Sequence, residues 1–233
     1  MIKYITGDIH DVIKTLDNNS IDFIYTDPPF SVTRCKWDKP LKWNELFTEM
    51  WRVLKPTGVI CLYSSIPFTY ELYKYEKPKY NYSWCKNNTT NFLSSKYQPL
   101  RCMEEINIYY KKRGIYNPQM IGDKFNVKRN VKYGGKNGYW GKDGIYKENE
   151  YDKDNGHYGR YPTTFKNWNI RKDDTGITRT DEHIDYFIKT YTNENDTILD
   201  MTCHCDYVGS RCELLNRNYI GVDLEIKYII NKI

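Results

Sequence analysis

The apolar run Ile21 to Tyr25 is cut off by Thr26-Asp27-Pro28-Pro29-Phe30, and this junction constrains the chain more than any other. The run reads as a strand. Two consecutive prolines fix two φ angles and remove two backbone donors, so the strand ends in a stiff turn whose carbonyls are free to accept hydrogen bonds. Around it the pattern alternates. Ile9, Val12, Ile13 and Leu16 follow the spacing of a short amphipathic helix after Gly7-Asp8. Trp43, Leu46, Phe47, Met50, Trp51 and Leu54 lie on one helical stripe, terminated by Lys55-Pro56-Thr57-Gly58. Val59 to Tyr63 is a second apolar run, and Glu105 to Tyr110 a further strand candidate. Ile184, Phe187, Ile188 and Tyr191 mark another helix; Thr197 to Leu199 and Tyr219 to Val222 make two short strands with a helix between them. Strands alternating with helices predict an open α/β sheet that binds ligands beyond the carboxyl ends of its strands.

The 233 residues fit one domain with a sizeable core. No apolar segment approaches the roughly 20 residues needed to span a bilayer, and the N-terminus runs into a strand-like pattern without a signal-peptide layout. Seven cysteines, an odd number at irregular spacings, read as thiols in a reducing compartment, cytoplasmic or nuclear. Cys203-His204-Cys205 with Cys212 lacks zinc spacing, so no metal is expected. His10, His157 and His183 carry no motif and are expected at the surface. The net charge of +5 is uneven: residues 111–172 hold 15 Lys and Arg against 6 Asp and Glu, a local net of +9. That segment interleaves its cations with Tyr133, Tyr139, Trp140, Tyr146, Tyr151, Tyr158 and Tyr161. Such a loop-rich insert suits a polyanion held at its phosphates and probed by stacking; the plainer alternative is a solvated loop. Abundant Lys, Asn, Ile and Tyr point to an AT-rich coding genome, viral or low-GC.

Asp27-Pro28-Pro29-Phe30 at a strand end resembles the catalytic tetrad of DNA amino-methyltransferases. Thr197-Ile198-Leu199-Asp200, the loop Met201 to Gly209 and Asn218 to Asp223 look like strand, loop, helix, strand and acidic terminus, with a spacing near the roughly 20 residues between such a loop and a ribose-gripping acid. A donor-binding half placed after the catalytic half is the permuted order of the β-class enzymes, which the chain resembles nearly end to end. Further segments carry the likeness: Thr33 to Asp38, Arg52 to Gly58, Ser65 to Thr69, Asn88 to Leu93, Glu104 to Ile106, Tyr116 to Met120, Arg160 to Pro162 and Tyr186 to Asp196.

The resemblance implies a Rossmann-like methyltransferase fold with a mostly parallel twisted sheet and helices on both faces. It also implies a single domain over 1–233 with a recognition insert at 111–172, and methyl transfer from S-adenosylmethionine to the exocyclic amine of a base flipped out of duplex DNA. An aspartate at the head of the tetrad is more typical of adenine-N6 than of cytosine-N4 enzymes. Asp27, Pro28, Pro29 and Phe30 would hold the base: the amine lone pair is delocalised into the ring, and accepting from its N–H groups at the Asp27 carboxylate and Pro28 carbonyl would aim that lone pair at the methyl sulfonium. Asp27 would also border the methyl group. Asp8 would contact the adenine end of S-adenosylmethionine or simply cap its helix. Asp223 would accept from the ribose hydroxyls; Asp200, Thr202, Cys203 and Cys205 would form the cofactor loop, and Thr178 the segment closing over it. Arg34, Lys36, Lys128, Arg129, Lys132 and Lys136 are candidate DNA contacts. A cytoplasmic location, in a host cell if viral, and a homodimer are further expectations.

Two departures fall on one pocket. The family's glycine-rich loop is replaced by His204-Cys205-Asp206-Tyr207-Val208-Gly209, where side chains take up space and Asp206 would repel the cofactor's carboxylate if it pointed inward. The family's His-Pro-Thr-Gln-Lys-Pro motif is replaced by Thr175-Gly176-Ile177-Thr178-Arg179-Thr180. The chain is therefore either an active methyltransferase with a rebuilt loop, on DNA or on RNA, or a DNA-binding or dimer-partner protein whose cofactor site has decayed.

Overall fold

The computed structural model describes residues 1–122, 160–173 and 176–225. The chain runs through β1 (Ile2–Thr6), α1 (Ile9–Val12), a 3-10 turn (Ile13–Thr15), β2 (Ile21–Thr26), α2 (Trp43–Val53), β3 (Leu54–Ser64), α3 (Phe68–Leu72), β4 (Tyr80–Thr90) and β5 (Arg101–Tyr109). It continues through β6 (Phe165–Trp168), β7 (Ile170–Asp173), β8 (Gly176–Arg179), α4 (Asp181–Tyr191), β9 (Thr197–Asp200), α5 (Tyr207–Leu214) and β10 (Asn218–Asp223). Eight strands form one sheet in the order β1-β10-β9-β2-β3-β5-β4-β6, and β7 pairs with β8 separately. The run from β1 to β3 is parallel, β5 is antiparallel to both neighbours, and β6 is parallel to β4.

The layering follows from alternation along the central strands. In β3, Val59, Cys61 and Tyr63 enter one buried cluster with residues of α4 and α5, while Ile60 and Leu62 enter another with residues of α1, α2 and α3. A strand buried on both faces needs helices on both, which is why these strands read as unbroken apolar runs. The expected mostly parallel, doubly covered sheet is thus present.

Several boundaries differ from the sequence reading. Helix α2 stops at Val53 and β3 begins at once, so Leu54 and Lys55-Pro56-Thr57-Gly58 belong to the strand, where the pairing shifts register between Ile21 and Phe23. The expected helix from Ile9 to Leu16 tightens into the 3-10 turn after Val12. Arg52 holds that region to α2 by donating to the carbonyls of Ile13 and Leu16 at 2.8 Å each. Strand β6 lies within the 111–172 span yet belongs to the main sheet, beside β4. Residues Pro118–Pro162 form a second unit, whose described residues include paired amide–carbonyl bonds between Ile121 and Arg160. Lys128, Arg129, Lys132, Lys136, His157 and the aromatic residues from Tyr133 to Tyr158 lie outside the described residues.

Gly209, the one glycine kept in the altered loop region, sits in α5 where the helix crosses β1 and β10. A Cβ there would fall on the Tyr4 hydroxyl and lie 3.1 Å from Tyr219 Cε1. The surviving glycine therefore serves close helix–strand packing. Gly209→Ala should lower unfolding stability by about 1–3 kcal/mol through overpacking, whereas Leu214→Ala, on an exposed side chain of the same helix, should change it by less than about 0.5 kcal/mol; denaturant midpoints of the two variants check this.

Candidate active site

Strands β9 and β2 are neighbours, with Tyr25 opposite Asp200, and their connections diverge: α5 leads from β9 to β10 on one side, α2 leads from β2 to β3 on the other. This is the topological switch point at which open α/β sheets bind ligands. It brings Asp27-Pro28-Pro29-Phe30 and the loop from Met201 to Cys205 to one edge. Thr202 joins them, its hydroxyl lying 3.0 Å from the Asp27 carbonyl, to which it donates, and 3.3 Å from the Thr26 hydroxyl.

The tetrad is rigid. Pro28 is buried, Pro29 and Phe30 are half-buried, and Phe30 stacks on Phe68 with ring centroids 5.3 Å apart at 20°. Asp27 accepts from Arg179 Nη1 at 2.5 Å on Oδ2. After the tetrad, the buried Asp38 accepts from the amides of Ser31, Val32 and Thr33 at 2.6, 3.0 and 2.6 Å. Burial opposes its charge, but the bonds to Thr33, Ser31 and Val32 hold its carboxyl below its ordinary value. The loop so pinned presents Arg34, Lys36 and Trp37 to solvent.

On the other side of the crevice, Asp200 accepts from the Thr202 amide at 3.2 Å and from the Tyr219 hydroxyl at 3.2 Å. Burial pushes its carboxyl up to about 7 against those two bonds. Cys203 and Cys205 are buried, and burial with Asp200 nearby pushes the Cys203 thiol up, so it is no thiolate nucleophile. The loop spends its amides internally: Cys203 donates to the Val222 carbonyl, His204 to Asp223 Oδ2 and Cys205 to the Cys203 carbonyl. Asp206 accepts from the hydroxyls of Tyr4 and Ser210. Asp223 also accepts from Glu225 N at 3.1 Å, and each of its oxygens keeps further acceptor capacity. Asp8 caps α1 through the His10 amide at 2.9 Å and also bonds the His10 ring; these bonds, the backbone one first, hold its carboxyl below its ordinary value. Its side chain is 53% exposed and open to a second partner. Thr178 lies in β8, its backbone paired with Arg171.

His183 corrects the sequence reading. It is fully buried, stacked on Trp168 at 4.3 Å and edge-on to Trp84 at 4.4 Å, with Nε2 2.8 Å from the Tyr63 hydroxyl. Burial, with Arg179 adding to it, pushes its pKa well down. His10 is half-buried, its Nε2 accepting from the Lys42 amide. Two residues with evident roles, Arg179 and Asp38, were not among the sequence candidates. Asp38 lies in a segment that resembles the family and Arg179 in the segment Thr175 to Thr180 that stands in place of a family motif, but no spacing or pattern singles out either residue.

The sequence model of the DNA methylase family (N6_N4_Mtase) matches residues 21–231. The chain belongs to this family. The methylase is 25% identical to the type II methyltransferase M.HpaI of Haemophilus parainfluenzae over 93% of its own length and 68% of that protein's. In fold it is similar to M1.HpyAVI, solved with S-adenosylmethionine, at a TM-score of 0.60 and 20% identity over 99% of this chain and 96% of that one. It is also similar to the cytosine-N4-specific PvuII DNA methyltransferase, at a TM-score of 0.65 and 12% identity over 97% and 83%. The methylase thus has the Rossmann-like methyltransferase fold with the tetrad ahead of the cofactor half. Among the described residues, no helix is long and apolar enough to cross a membrane.

Asp200 makes the site pH-sensitive. Its folded-state pKa is raised above the ordinary 3.8, so the stability it contributes is complete below about pH 4 and is lost as pH rises through about 7. The melting temperature of the native methylase relative to Asp200→Asn should therefore fall between about pH 5 and about pH 8.5. Parallel curves for the two proteins would show that Asp200 does not titrate in that range.

Proposed function

We propose that this DNA amino-methyltransferase moves a methyl group from S-adenosylmethionine to N6 of an adenine flipped out of duplex DNA. The observation that carries the reading is the junction of the two half-sites: Thr202, in the loop after β9, bonds the backbone of Asp27, at the head of the tetrad after β2. The residues present fit the cofactor at its nucleoside end, where Asp223 and Asp8 retain acceptor capacity. The Asp206 charge, which would oppose the cofactor's carboxylate, is engaged by Tyr4 and Ser210. Bound S-adenosylmethionine supplies an electrophilic methyl sulfonium. Asp27 accepts from the target N–H groups and orients the nitrogen lone pair, and the stiff Pro28-Pro29 turn keeps that acceptor in place. The half-buried Phe30 stacks the base, and the exposed Arg34 and Lys36 contact phosphates beside the tetrad. The aspartate at the tetrad's head favours adenine.

Calorimetric titration should detect S-adenosylmethionine binding, and nucleoside mass spectrometry of methylated duplex DNA should find N6-methyladenine. Asp27→Ala should cut turnover by about 10²- to 10³-fold, as expected for a lost stabilising contact in the transition state. N4-methylcytosine as product would replace adenine by cytosine, and label entering RNA alone would replace the substrate. No binding at about millimolar cofactor would leave a DNA-binding protein without turnover.

A further inference from the structure

We propose that Arg179 is a positioning residue for methyl transfer: it holds one oxygen of Asp27 and thereby leaves the other set to receive the target amine. The proposal rests on the function argued above. Arg179 lies 152 positions from Asp27 in the chain, and its Nη1 donates to Asp27 Oδ2 at 2.5 Å. Among the described residues Asp27 Oδ1 accepts no hydrogen bond. The contact is one-pronged, whereas an arginine fork commonly takes both oxygens of a carboxylate.

The guanidinium is itself confined. It lies over the Tyr63 ring at 3.8 Å and over Trp84 at 5.5 Å, and its side chain is only 12% exposed. Its Nη2 faces Glu104 Oε2 at 3.8 Å, and Glu104 is bonded in turn by Lys86 at 2.5 Å. Charges alternate from Asp27 through Arg179 and Glu104 to Lys86, so the arginine is flanked by two carboxylates and cannot swing away without leaving both. Asp27 is fixed at both ends, its carbonyl by Thr202 and its carboxylate by Arg179.

That arrangement suits the chemistry. In the transfer step the amine nitrogen forms a bond to the methyl carbon, the carbon–sulfur bond breaks with its electron pair left on sulfur, and the nitrogen then releases one proton to solvent. Throughout, Asp27 serves as an acceptor of N–H bonds, and an ionised carboxylate paired with a cation is an acceptor only. The competing reading is a plain brace between β8 and β2. Buried ion pairs are weak evidence for stability, so the two readings diverge in what a variant loses.

The test compares the full chain with its Arg179→Met and Arg179→Lys variants on S-adenosylmethionine and duplex DNA. Arg179→Met should lower kcat by about 10²-fold, with the calorimetric Kd for S-adenosylmethionine and the KM for DNA within about threefold of the native values. Arg179→Lys, which restores a cation, should recover about tenfold of that loss. An Arg179→Met enzyme with native kcat would overturn the inference. So would a loss of kcat that tracks a fall in cofactor affinity and Tm without rescue by lysine, the signature of a brace. A native chain that transfers no methyl group to DNA overturns the functional reading and this inference together, whereas an active native chain with an equally active variant overturns only the inference.

Discussion

Two parallel strands, β2 and β9, lie side by side with their crossovers leaving in opposite directions, and every element of the site depends on that pairing. Register places Tyr25 opposite Asp200, so each strand ends at the same edge and each contributes its loop to one crevice. In chain order the tetrad loop comes first and the loop after β9 follows, with 175 positions between Thr202 and the Asp27 it bonds. The two loops are joined by hydrogen bonds and sheet pairing, not by local sequence.

Beneath this edge lies an aromatic floor. The Tyr25 hydroxyl lies 2.9 Å from that of Tyr63, and Tyr63 reaches His183 at 2.8 Å; Trp84, Trp168 and Phe187 surround them. The floor supports the Arg179 guanidinium by stacking and excludes water from one side of its ion pair with Asp27. Because burial and the nearby arginine keep His183 neutral, the floor adds no positive charge beneath that guanidinium. An isolated histidine in sequence gives no hint of this. Its burial is decided by three aromatic neighbours that come from β3, β4 and β6.

The glycine-poor loop after β9 shows how a pattern can change while the architecture stays. Gly209 is retained where α5 packs against Tyr4 and Tyr219, because there a side chain would collide with the neighbouring strands. The preceding positions carry His, Cys and Asp, and their backbone and side chains bond back into the loop, to Asp223, and to Tyr4. His204 takes φ +50°, a left-handed conformation that glycine would adopt without strain.

Periodicity and punctuation in the sequence determined the α/β class, the central strands and the tetrad at the end of β2. These follow from which side chains must be buried on each face and from what two prolines do to a backbone. Strand β4 was not read from the sequence: Tyr82 and Trp84 alternate inward, but the polar second half, from Lys86 to Thr90, hides the pattern. The acids at the strand ends, Asp200 and Asp223, were readable because each directly follows a short apolar run. Only the tertiary structure decided that Arg179 meets Asp27, that Asp206 pairs with Tyr4, and that His183 lies in the core. Those outcomes depend on sheet order and register, which bring together residues up to 202 positions apart, and short-range patterns carry no record of such contacts.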